Sequence, residues 1–97
     1  MRIDSCIKKR PKYKKEEVKH WRDNWVIQYW MESRNGTDMI VTIEILELLL
    51  EFIEDRDVEG SEGWSEADWE DFEKDILNII DDMKANEAYE YTYRGRW

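Results

Sequence analysis

Residues 63–80 read GWSEADWEDFEKDILNII, and the way they fold decides how the rest of the chain must pack. Ser65 is a favoured N-cap type, and Asp68 three positions later completes a carboxylate form of the capping box. Trp64 stands just before the cap and Trp69 is the fourth helical residue, the two places of a hydrophobic staple. Trp69, Phe72, Ile76, Ile79, Ile80 and Met83 then recur at helical spacing, which predicts a helix over about 66–85 with one apolar face. Between Glu66 and Asp82 stand eight acids and one lysine. The helix dipole favours Glu66 and Asp68 near the start, but Asp71, Asp75 and Asp82 gain nothing from it and sit among like charges.

Upstream, Thr42 can cap a second helix over about 43–56. Glu44, Glu47, Glu51 and Glu54 step by three or four and fall on one stripe. The other positions are apolar from Ile45 to Ile53, so this helix is expected at the centre of the core. The glycine-bearing DRDVEGSEG reads as the loop between the two helices.

Further upstream, NWVIQYWMES is rich in β-branched and aromatic residues, with Trp25, Ile27, Tyr29 and Met31 on alternate positions. Asn35-Gly36 is the favoured pair of a two-residue turn, and Met39, Ile40 and Val41 supply a returning strand, predicting a hairpin over about 25–41. Residues 14–23 suit a short helix and residues 3–7 a strand. KKRPKYKK, broken by Pro11, reads as an exposed loop within a basic N-terminal segment, residues 1–14. At the other end AYEYTYRGRW alternates, predicting a strand over about 89–94. The expected fold is α+β: a small antiparallel sheet with two main helices on one face, in a single domain spanning residues 1–97.

Composition narrows the function. A chain of 97 residues with six tryptophans has the aromatic content to build a core despite its small size. One cysteine cannot close an internal disulfide, and no apolar run is long enough to span a membrane, so a reducing, cytoplasmic setting is expected. His20 is the only histidine, and with Glu16 as its nearest carboxylate by helical spacing it falls short of a zinc site. Cys6 has no sequence-evident base. No phosphate-binding loop, nucleophile elbow or calcium loop is present, so no enzyme, no cofactor and no metal are expected.

Charge is the remaining signal. The net charge is −9, yet residues 1–22 carry nine basic residues against three acids. Two binding surfaces follow. One is the acidic helical set, Glu44, Glu47, Glu51, Glu54, Asp68, Asp71, Asp75 and Asp82, with Trp30 and Trp97 as exposed aromatic anchors. This set is expected to meet a protein partner with a basic surface, such as a nuclease or another nucleic-acid-processing protein. In size and charge alone the chain is similar to phage-encoded anti-restriction and anti-CRISPR proteins and to the immunity proteins of nuclease toxins, some of which act as nucleic-acid mimics. The alternative surface is basic: Lys8, Lys9, Arg10, Lys12, Lys14 and Lys15 within residues 8–22 contacting nucleic acid directly, against the repulsion of the acidic body. A third reading joins copies of the chain through the aromatic strand Tyr89–Tyr93.

Overall fold

Residues 25–34 are helical, and the architecture follows from that. The computed structural model describes residues 2–10, 16–34 and 38–96. The chain runs β1 (Asp4–Arg10), β2 (Glu16–Arg22), α1 (Trp25–Arg34), β3 (Asp38–Val41), α2 (Ile43–Phe52), a 3-10 turn (Ile53–Asp55), α3 (Glu66–Ala85) and β4 (Glu90–Arg96). The strands form one antiparallel sheet in the order β2-β1-β4-β3. The helices cover one face of it, as expected of the α+β class.

Two local expectations are corrected. The first is the hairpin over 25–41, whose first strand is α1. Asn24 caps this helix by accepting from the Ile27 N–H at 3.1 Å. Val26, Ile27, Trp30 and Met31 are all buried, at i, i+1, i+4 and i+5. That is one helical face, whereas a strand would have split the four between the core and solvent. The Asn35-Gly36 turn lies outside the described residues.

The second correction concerns residues 14–23, predicted as a short helix. They contribute β2 instead, because β1 offers a complementary neighbour: Asp4 faces Arg22 and Lys8 faces Glu17 across the ladder. An irregularity in register at Ile7/Lys8 skips Val18 and so sets Lys8 opposite Glu17. The described part of the basic segment 1–14 is accordingly β1, paired on both sides, by β2 and by β4.

The rest is close to expectation. Thr42 Oγ1 accepts from the Ile45 N–H at 3.3 Å and starts α2. At α3 the capping box is complete, with the Asp68 N–H donating to Ser65 Oγ at 3.2 Å and the Ser65 N–H to Asp68 Oδ2 at 2.9 Å. The Trp64 and Trp69 rings of the staple lie 4.7 Å apart. All six apolar positions predicted for α3 are buried. From the sheet, Ile7, Trp21, Met39, Val41, Tyr91 and Tyr93 meet them.

A buried polar chain fixes α1 to the sheet. The Tyr93 hydroxyl donates to Gln28 Oε1, and Gln28 Nε2 donates to Glu32 at 2.8 Å. Gly95 is required beside it, since a Cβ there would overlap Gln28 Oε1. Burial, the larger cause for both Tyr91 and Tyr93, raises each phenol well above its ordinary range; at Tyr91 the hydrogen bond to Asp82 adds to it.

The unfolded chain ionises these phenols near pH 10 while the folded chain keeps them protonated, so it is the folded state that holds more protons above that pH. Stability should be intact below about pH 10 and fall above it, by about 1 kcal/mol per tyrosine between pH 10 and 11. Urea midpoints across that range check this, and Tyr93→Phe should flatten the decline.

Candidate functional site: the acidic helical layer

Residues 43–85 hold sixteen acids and three basic residues, and they contribute α2, the 3-10 turn and α3. The eight acids singled out from the sequence divide into two groups on opposite flanks of α3. Arg56, just past the 3-10 turn, pairs with Glu73 and lies 3.5 Å from Glu66, so the α2 end sits on that flank. Asp75 and Asp82 lie about 160–200° further round the helix, at 100° per residue, and face the sheet.

On the sheet side the acids are structural. Asp75 accepts from Trp21 Nε1 at 3.0 Å and pairs with Lys19 at 3.3 Å. Asp82 accepts from the Tyr91 hydroxyl at 2.5 Å and pairs with Lys9 at 3.2 Å. These bonds account for two of the three carboxylates that helix physics left unexplained. Asp71 stays exposed. With Asp68 and Asp75 it rims a groove walled by Trp21, Trp64 and Phe72.

On α2 and the 3-10 turn that follows it the acids are free of such roles. Glu44, Glu47, Glu51 and Glu54 are exposed, and among the described residues none has an ion-pair partner. Between them the helix shows two apolar side chains that the sequence reading placed in the core: Leu48 is 42% and Phe52 44% exposed. The signal was available, since 100° steps put Leu48 only about 40° from Glu44.

The aromatic anchor Trp30 is corrected. It is buried, its ring 6.4 Å from that of Phe52 and beneath the Arg34 guanidinium at 4.8 Å, because it belongs to the core face of α1. Trp97 lies outside the described residues.

The opposite face of the sheet carries no helix. Alternation brings Lys8 and Arg10 out onto it, together with Arg22, Arg94 and Arg96 and with Asp4, Glu17 and Glu90. Lys9 points the other way, to Asp82. Lys12, Lys14 and Lys15 lie outside the described residues. Sequence reading missed Arg94 and Arg96 here, which only the β1–β4 pairing places on the same face as Lys8, opposite Cys6 and Asp4. His20 Nε2 lies 3.6 Å from Asp4 Oδ1, and Cys6 is directly opposite His20. Burial is the main cause that raises the Cys6 thiol above its ordinary value, the reverse of what an activated nucleophile needs.

β4, the strand of the third reading, is paired along both edges and buries Tyr91 and Tyr93. Among the described residues no group of three or more His, Cys, Asp or Glu side chains is placed to hold a metal ion. Among them, too, no helix is long and apolar enough to cross a membrane. Comparison with protein-family models, with curated proteins and with solved structures finds no match.

Proposed function

We propose that this is a small acidic binding protein, an inhibitor that lays its helical layer on a basic, nucleic-acid-binding surface of a partner protein and so keeps nucleic acid away. The observation that carries this reading is the state of α2 and the 3-10 turn after it: four glutamates, three on the helix and Glu54 on the turn, exposed and without ion-pair partners among the described residues, in a layer with sixteen acids and three bases. Concentrating like charge this way opposes folding, and a basic partner would relieve it. Such a surface gives fast, salt-sensitive association and excludes nucleic acid by occupying its counter-charges. In size and charge this matches the phage anti-defence and toxin-immunity kinds of inhibitor, with a nuclease or similar enzyme as target.

Affinity capture from host extract at low and high salt tests the reading. The captured partner should be basic, and Glu44→Gln/Glu47→Gln/Glu51→Gln should weaken its binding at least tenfold, about 1.4 kcal/mol. The same triple substitution should leave the melting temperature nearly unchanged, since the repulsion it removes offsets the helix-dipole contribution lost with Glu44 in the first turn. Undiminished capture by the triple variant would exclude the acidic surface as the site.

A second reading rests on the bare sheet face, where Arg22, Arg94 and Arg96 join Lys8 and Arg10. Direct phosphate contact there predicts a gel shift that Arg10→Glu/Arg96→Glu abolishes. Truncating the N-terminus is not a usable test, because it removes β1 from the middle of the sheet.

A further inference from the structure

The exposed side of α2 is a two-row surface. Steps of 100° place Glu44, Leu48 and Phe52 on one i+4 row, with Glu47 and Glu51 on the next. Leu48 and Phe52 are nearly half exposed, although the helix has ample apolar residues to fill its core side. On the far side of Phe52 lies α1, where Arg34 covers the Trp30 ring. The surface therefore grades in one direction, from a cation on α1 through two apolar side chains to a border of three glutamates.

Resting on the reading just given, we infer that this row docks an amphipathic helix of the partner, with its apolar ridge between Leu48 and Phe52 and lysines or arginines along one flank. Two helices pack by setting a ridge of one into the groove between rows of the other, and Glu44–Leu48–Phe52 beside Glu47–Glu51 offers such a groove. Charge complementarity fixes the orientation: the basic flank of the incoming helix lies over the glutamates, away from Arg34. The apolar pair supplies holding energy, and the acids supply steering and register.

A test on the intact chain uses two synthetic peptides about 18 residues long, roughly five turns of helix. One is an amphipathic leucine–lysine helix; the other has every leucine replaced by serine at the same charge. Leu48→Ser/Phe52→Ser should weaken the leucine–lysine peptide at least tenfold and leave the serine–lysine peptide within twofold. Amide shift changes in the unsubstituted protein should centre on residues 44–52.

If the apolar pair proves neutral while the triple glutamine variant still weakens binding, the docking row is wrong and the acidic surface stands. If the triple variant binds both peptides undiminished, the acidic surface itself fails. Should Leu48→Ser/Phe52→Ser not fold, shift changes centred outside α2 would overturn the inference on their own.

Discussion

Gly60→Ala is expected to destabilise the fold by about 3 kcal/mol, a large part of the 5–15 kcal/mol typical of a domain this size. Gly60 has φ +94, outside the range open to side-chain-bearing residues at low cost, and conformational strain alone amounts to about 1–3 kcal/mol. A Cβ there would also stand 2.7 Å from the Trp25 carbonyl carbon and 2.8 Å from its oxygen. Both are backbone atoms of the first turn of α1, so no rotamer change relieves the overlap. Gly63 is the control: its φ is +83, but nothing lies within 4 Å of a Cβ. Gly63→Ala should therefore show the conformational part alone, about 1 kcal/mol. Urea unfolding of the two variants separates the terms, and equal losses would show that the approach to α1 is not tight.

Asp82→Ala should cost about 2–3 kcal/mol, even though an acid is being removed from an over-acidic helix. Relief of repulsion is worth a few tenths of a kcal/mol at such a surface. Against it stand the Tyr91 hydroxyl, left without its acceptor on a residue only 3% exposed, and the loss of the Lys9–Asp82 ion pair. Tyr91→Phe removes one of those bonds and should cost about 1 kcal/mol. A double-mutant cycle between the two positions should return a coupling of about 1 kcal/mol, and additive losses would mean that the bond contributes nothing. Asp71→Ala, with no such partner among the described residues, should be neutral within about 0.5 kcal/mol.

That contrast marks where the sequence was readable. α2 and α3 were legible because their caps and apolar spacing are local: Thr42, Ser65, Asp68 and the Trp64–Trp69 staple act within a few residues of one another. α1 was not, because Val26, Ile27, Tyr29 and Trp30 suit a strand or a helix equally, and burial of both Ile27 and Trp30 on one side decided between them. The helix-side acids illustrate the limit for the candidate site. Asp75 and Asp82 looked like surplus charge because their partners Trp21 and Lys9 are 54 and 73 residues away, across the β1–β2 pairing. The glutamates of α2 were correctly read as one stripe, while Leu48 and Phe52 beside them were counted as core.

The strand order has a consequence for the order of events in folding. β1 and β2 are neighbours in sequence and can pair as soon as both are made. β1 and β3, separated by β4, have no contact within the sheet until residues 90–96 are inserted between them. The strand made last of these four is thus the one that joins the two halves. Until then the nascent chain holds a two-stranded ribbon, which is marginal alone, and helices whose apolar faces have only part of their sheet. Sheet completion has to wait for synthesis past Arg96, and a high share of long-range pairing makes it a slow step by the standards of small helical domains.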